Sequence, residues 1–380
     1  MRARPRCSCL ALVCALLTSL DLINARSEAA QYQVTVTQRS DAPLISFQGD
    51  AHYPGNSPWP QNFNPSWVQA SSGTGGVEGL IIRAQNCSFA PGICTNCNVD
   101  DKHPIAPYFP GSVLLFAQHL GGSVFAPPYL IFSPSADAPQ DETNGTEDPR
   151  IAFDAATGAY HLFYTCYGAK GPILCHAISS NPTLPHPGHW QRMGAVFPGM
   201  YGSKSAALLI KPQPPHVLLW GDSSVTPGIA FATSNDLLTF TTINTSFITP
   251  RPSYFDSYAS CLAAANLQPC GSISPPHPRL LVESGPPPAQ LNDGNFLFLY
   301  NSATVSSGTG TGSFGSYNVG WVIISRDGLT ILQRSQVQRA LQRCAYNFSW
   351  CSACFAITHS MQRCPCLYSF LDREAYLLQT

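Results

Sequence analysis

The chain has 380 residues, 44% of them hydrophobic and only 11% charged, with a net charge of −1. Neutrality and the lack of basic runs argue against nucleic acid as the main partner, and nothing after the N-terminus approaches the ~18 consecutive apolar residues of a membrane-crossing helix. Gly (29) and Pro (34) are abundant and Met (4) is scarce, so composition points to an all-β chain with many turns, long enough for one large domain or two small ones.

Residues 1–30 read as a secretory signal peptide. Arg2, Arg4 and Arg6 precede an apolar core at Leu10-Ala-Leu-Val-Cys-Ala-Leu-Leu17, and Ser27, Ala29 and Ala30 offer a cleavage site. The expected location is outside the cell or in the lumen of the secretory pathway, with no stable membrane span after cleavage; an uncleaved anchor is the alternative. Of the 15 cysteines, Cys7, Cys9 and Cys14 leave with the signal. Cys166 and Cys175 flank a short Gly-containing loop and could staple a hairpin; Cys261 and Cys270 could close another. Cys87, Cys94 and Cys97 lie together, but Cys94-Thr-Asn-Cys97 lacks a second pair at zinc spacing, so disulfides fit better than a metal and no cofactor is expected. Sequons at Asn86, Asn144, Asn244 and Asn347 suit a secreted glycoprotein; Asn64 precedes a proline and is not one.

Residues 31–61 form a polar lead-in. Short apolar runs then recur between Gly, Pro, Asn, Asp and Ser: Trp67-Val-Gln, Gly79-Leu-Ile-Ile-Arg83, Ser112-Val-Leu-Leu-Phe116 and Tyr129-Leu-Ile-Phe132. Next comes the charged cluster Glu147-Asp-Pro-Arg150, which opens a hairpin. Ile151 and Phe153 alternate with small residues, residues 154–158 turn, and Tyr160, Leu162 and Tyr164 alternate on the return. Pro149 fixes its own φ and is expected to hold Asp148 extended. Ala206-Ala-Leu-Leu-Ile210, His216-Val-Leu-Leu-Trp220, Ile229-Ala-Phe-Ala-Thr233, Phe296-Leu-Phe-Leu-Tyr300 and Val319-Gly-Trp-Val-Ile-Ile324 follow. Evenly spaced strands over about 290 residues suit a propeller of five four-stranded blades better than a sandwich. Segments at Ile173, Ile229 and Trp321 each read as an outer strand running to an Asx-type turn.

These residues resemble glycoside hydrolase family 130, the five-bladed propellers of the mannoside phosphorylases and hydrolases. The resemblance rests on motifs in the family's order over about residues 60–335. They are Phe63-Asn-Pro65 running to Arg83; Glu147-Asp-Pro-Arg-Ile151; Ser203-Lys-Ser-Ala-Ala-Leu208; Glu283-Ser-Gly-Pro-Pro-Pro288; and Tyr317-Asn-Val-Gly320. It implies an oligosaccharide or glycan substrate, with Asp148 as general acid acting through a sugar hydroxyl. Asn64 and Arg83 would bind the sugar at the cleavage subsite, and Arg150 and Lys204 would face the central pocket; Asp222 and Tyr317 complete the substrate-binding set. Without the resemblance, Asn64 reads as turn chemistry, Arg83 as a strand-end charge and Lys204 as a solvated one.

Two departures bear on the reaction. Ser205 stands where the family's phosphorylases have Asp, and Asp222 where a phosphate-holding cation is expected. Phosphate binds cationic forks, not carboxylates, so inverting hydrolysis is favoured over phosphorolysis. A hydrolase needs a base for water, and Glu283 and Asp222 are the acids available near family positions; Glu283, just before the proline run, is the chosen one, and an inverting pair stands about 6.5–9.5 Å apart. Phosphorolysis and a non-catalytic sugar-binding propeller remain the alternatives. The domain reading is a signal at 1–30, a propeller at 31–335 with its last blade incomplete, and an atypical Cys-rich, poorly ordered tail at 336–380 that shows no strand alternation.

Overall fold

The computed structural model describes residues 32, 34–40, 45, 61–69, 78–85, 111–179, 189–222, 226–250, 280–305, 314–335, 352–357, 366–370 and 374–378. Backbone alone is described for 34–40, 61, 63, 280–281, 303–305, 314–318 and everything beyond 335. The signal at 1–30, the cysteines at 87, 94, 97, 261 and 270 and the sequons at Asn86 and Asn347 lie outside the described residues.

Among the described residues there is no helix, and the strands form five sheets. After β1 (Val34–Ser40), the first meander takes β2 (Gln61–Val68), β3 (Gly79–Gln85), β4 (Val113–Gly121) and β5 (Val124–Phe125) in that order, with β6 (Tyr129–Phe132) also on β4. The second takes β7 (Gly145–Asp154), β8 (Ala159–Gly168), β9 (Gly171–Ser179) and β10 (Gln191–Ala195). The third takes β11 (Ala206–Leu209), β12 (His216–Trp220), β13 (Ile229–Ser234) and β14 (Thr241–Ile248). The fourth takes β15 (Leu280–Ser284), β17 (Phe296–Val305), β18 (Phe314–Ile324) and β19 (Ile331–Arg334), with β16 (Ala289–Gln290) beside β17. All neighbours in these four sheets are antiparallel, so each is blade-like, and the arrangement is propeller-like.

A fifth sheet joins the two ends of the chain. β1 pairs with β20 (Ser352–Ile357), which pairs with β22 (Glu374–Leu378), and β21 (Cys366–Phe370) lies outermost. β20 and β22 run parallel, unlike any pair in the four meanders. β20, β21 and β22 fall in the region 336–380 where the sequence offers no alternation.

The central strands explain why the sequence shows continuous apolar runs. Val217, Leu218, Leu219 and Trp220 are all fully buried. Leu218 and Trp220 pack with Phe163, Leu174 and Phe240 of the second and third sheets, while Val217 and Leu219 pack with Val282, Phe298 and Tyr300 of the fourth. A strand covered on both faces needs apolar residues at every position. β8 behaves likewise: Leu162 and Tyr164 face the first sheet's Ile81 and Phe116, and Phe163 faces the third. Each such side chain contributes about 2 kcal/mol of burial.

The hairpin at 145–168 forms as expected, with Phe153 opposite Tyr160 and Asp154 opposite Ala159. Cys166 and Cys175 are joined across β8 and β9. The strands expected to be outer are third in their sheets, because a further strand follows each turn. The turns are a conformational repeat. Ser234 Oγ donates to Asp236 and Ser325 Oγ to Asp327, and the next residues, Leu237 and Gly328, both turn left-handed at φ 60° and 79°.

Candidate functional site

The first strands of the four meanders, β2, β7, β11 and β15, are edge strands of their sheets; Asn64, Asp148, Arg150 and Glu283 sit on them and Lys204 just before β11, while Arg83 lies on β3, Asp222 just after β12 and Tyr317 on β18. Among the described residues, four non-glycine positions have positive φ; three of these share φ 48°: Asn64 and Asp148, each the fourth residue of its edge strand, and Ser205, immediately before β11. Pairing breaks between Phe63 and Ser66 and between Glu147 and Arg150, one bulge for each of the first two. The expectation that Pro149 holds Asp148 extended is therefore corrected. Asp148 is left-handed, and its carboxylate is drawn back against the first sheet. Left-handed geometry costs a non-glycine residue about 1–2 kcal/mol, least for Asn and Asp. Such strain persists where surrounding contacts hold it, and it gathers at functional sites.

Those contacts are specific. Asn64 Nδ2 donates to Asp148 Oδ1 at 2.5 Å, and Arg83 Nη1 donates to the same oxygen at 2.9 Å. Arg83 also reaches Glu147 Oε1 through Nη2 at 2.6 Å and Ser112 Oγ through Nε at 2.8 Å. Gln85 Nε2 donates to Ser112 Oγ at 2.6 Å, so the guanidinium is fixed on three sides. Backbone bonds lock the two sheets together around it: Thr146 N donates to Ser112 O at 2.8 Å and Ile151 N to Ser66 Oγ at 3.1 Å.

Asp148 and Asn64 are buried. Burial alone would raise the Asp148 carboxyl; Arg83 foremost, then Lys204, Arg150 and the Asn64 hydrogen bond, outweigh it and hold the group at about 2. Glu147 goes the other way, raised chiefly by burial and further by Asp148, against the pull of Arg83. The two adjacent acids thus share one arginine and are driven apart.

The second half of the site lies between the third and fourth sheets. Ser205 Oγ donates to Glu283 Oε1 at 2.5 Å, and Lys204 Nζ stands 3.5 Å from that oxygen and 3.2 Å from Asp222 Oδ2. Asp222 and Glu283 meet in an isolated antiparallel bridge, and Ser284 Oγ donates to Leu219 O at 2.8 Å, which fastens β15 to β12. Glu283 and Asp222 are buried. Glu283 raises the Lys204 ammonium most, with Asp222 and Asp148 adding to it against burial, so Lys204 is firmly cationic.

Arg150 links the halves. It is buried, donates through Nε to Gly285 O at 3.1 Å and through Nη1 to Pro149 O at 2.9 Å, and feels the charges of both Asp148 and Glu283. Gly285 is required there, since a Cβ would come within 2.1 Å of Leu299 O.

Asn64, Arg83, Asp148, Arg150, Lys204, Asp222 and Glu283 are thus brought into one connected set. The Tyr317 side chain lies outside the described residues. Sequence reasoning did not assign Ser112, Gln85 or a holding role for Ser205. What unites Asn64, Asp148 and Ser205 is a backbone angle, which the sequence does not display. No group of metal-holding residues occurs among the described residues.

No family model and no curated protein matches the sequence. Solved structures do match. One belongs to the glycoside hydrolase family 130 of mannoside phosphorylases, which contains glycoside hydrolases that target β-1,2-mannosidic linkages in Candida mannan. That match has a TM-score of 0.56 at 20% identity and covers 92% of this chain and 94% of that one. The chain shares that protein's fold. A glycosyl hydrolase from Bacteroides ovatus matches with a TM-score of 0.51 at 21% identity, over 82% of this chain and 78% of that one. Both of these solved structures are similar to this chain in fold.

Proposed function

We propose that the chain is a secreted glycoside hydrolase that cleaves β-mannosides or related glycosides with inversion, and that the fifth sheet serves as its fifth blade. One observation carries the reading. Asp148 and Glu283, on edge strands of different sheets, are both buried; Arg150, two residues after Asp148, donates to Gly285 O, two residues after Glu283, and Lys204 stands 3.5 Å from Glu283. Glu283 would take a proton from water as the water oxygen attacks the anomeric carbon. Asp148 would supply the proton that leaves with the departing oxygen, by way of a sugar hydroxyl. Asn64 and Arg83 would contact that sugar. Because both hold Asp148 ionised in the free protein, a hydroxyl that displaces them would let the carboxyl take up its proton.

Charge favours water over phosphate. The connected set contains the carboxylates of Glu147, Asp148, Asp222 and Glu283 against the cations of Arg83, Arg150 and Lys204, four against three. A net negative site repels a phosphate dianion and suits the positive charge that develops on the sugar.

The test is an assay of β-linked mannobioses with and without phosphate, on wild type, Asp148→Asn and Glu283→Gln. Phosphate-independent release of mannose, lost in both variants, is expected. Sugar-1-phosphate release would establish phosphorolysis instead. A second reading, a sugar-binding propeller without catalysis, draws on the ionised state of Asp148; it predicts mannobiose binding that both variants retain, with no turnover in wild type.

A further inference from the structure

Glu283 has a feature that its ion pair does not explain. Oε1 is engaged by Ser205 and Lys204, whereas Oε2 is buried and has no hydrogen-bond partner among the described residues. A buried carboxylate oxygen left unmatched is costly, and native structures rarely keep one without a use. The neighbouring Ser205 carries a second anomaly, its left-handed backbone at φ 48°. Serine has no special tolerance for that conformation, and glycine would take it without strain. Ser205 is 1% exposed and its hydroxyl is committed to one acceptor. Its backbone matches Asn64 in the first sheet, whose side chain likewise grips one oxygen of a carboxylate on another strand. A strained residue, a short bond to one oxygen and an orphaned second oxygen all occur at one carboxylate.

Building on the glycosidase reading above, we propose that Ser205 is the positioning residue of Glu283, fixing Oε1 so that Oε2 is left to accept from a hydroxyl, water or ammonium of a sugar-like ligand. The ligand class follows from the site: neutral or cationic at the ring, with a donor aimed at a carboxylate, and not a phosphate. Lys204 cannot fill the serine's role, because it is shared with Asp222 and stands farther off. The family's aspartate at this place would set a second acid against Glu283, where the serine donates.

Two readouts on the full chain test this. The probe is the protonated iminosugar 1-deoxymannojirimycin, followed by calorimetry beside inorganic phosphate. Wild type should bind the iminosugar and not phosphate, and Glu283→Gln should weaken binding more than tenfold. Ser205→Gly relieves the backbone and should unfold in urea no earlier than wild type, yet bind about tenfold more weakly, the equivalent of one lost charge-assisted hydrogen bond. Ser205→Asn tolerates the left-handed conformation and restores a donor, and should recover affinity. Wild-type affinity in Ser205→Gly, or a loss that Ser205→Asn does not repair, would overturn the proposal. Should wild type bind no iminosugar, the glycosidase reading falls, and the carboxyl carbon resonance of Glu283, assigned by its loss in Glu283→Gln, still decides. It moves in Ser205→Gly and returns in Ser205→Asn if the serine holds the carboxylate, and stays in place if it does not.

Discussion

The two halves of the site solve one problem with different parts. Between the first and second sheets, a neutral donor (Asn64) and a cation (Arg83) converge on one oxygen of Asp148. Between the third and fourth, a neutral donor (Ser205) and a cation (Lys204) converge on one oxygen of Glu283. Both neutral donors are left-handed, Asn64 within edge strand β2 and Ser205 just before edge strand β11. The cations differ. Arg83 is a planar fork braced by Ser112, Glu147 and Gln85 through Ser112, whereas Lys204 is a point charge between two acids. The first half is over-determined and pins its carboxylate as an anion. The second leaves one oxygen unfilled. A site that holds one acid rigid and leaves the other receptive is already divided in labour before any ligand arrives.

Four measurements sharpen or break this contrast. The largest effect is on turnover: Asp148→Asn and Glu283→Gln should each reduce glycoside cleavage about 10³-fold, with the double variant little worse, as expected of groups that act in one step. Unequal losses would mean that the halves are not partners. Next, Lys204→Met leaves Asp222 and Glu283 buried without their cation and should lower unfolding free energy in urea by about 3 kcal/mol. An unchanged midpoint would show that the second half does not depend on its lysine. Third is pH. Asp148 lies below the usual carboxylate value, so its stabilising contribution is present above about pH 4 and is lost as pH falls through about 2. The stability gap between wild type and Asp148→Asn, about 2 kcal/mol at neutral pH, should close over that window. A gap that does not vary with pH would contradict the pinned anion. The smallest effect compares backbones. Asn64→Gly and Ser205→Gly each remove a donor from a buried carboxylate, but glycine relieves more strain at serine than at asparagine, so Asn64→Gly should destabilise by about 1 kcal/mol while Ser205→Gly stays near neutral in thermal unfolding. The reverse order would place the greater strain in the first half.

Much of the fold could be read from the chain because the inner strands are buried on both faces. Val217-Leu-Leu-Trp220 and Phe296-Leu-Phe-Leu-Tyr300 had to be apolar throughout, so they stand out. β14 did not, since most of its residues are exposed and polar, and neither did β15, where only three apolar residues precede Glu283 and Ser284. The repeat that unites Asn64, Asp148 and Ser205 is one of backbone angle. Three different side chains share a conformation, so identity comparison passes over it. Asp148 and Arg83 were legible as charges in strands, but not their partnership, since Arg83 is 65 residues away in sequence. Ser112 gave no signal because a buried serine in an apolar strand reads as an ordinary neutral residue.

The pairing of Val34 with Ile357 has a consequence for how the molecule is made. The four meanders are each contiguous in sequence and can be completed one after another as the chain leaves the ribosome. The sheet that joins the ends cannot begin until some 320 residues separate its partners, a loop closure among the slowest contacts in the molecule. During that interval β2 lacks the contact it makes with β21. The sheet that unites β1 with β20 thus closes after the four meanders, and removal of residues 352–378 should tell on yield and aggregation before it tells on the chemistry.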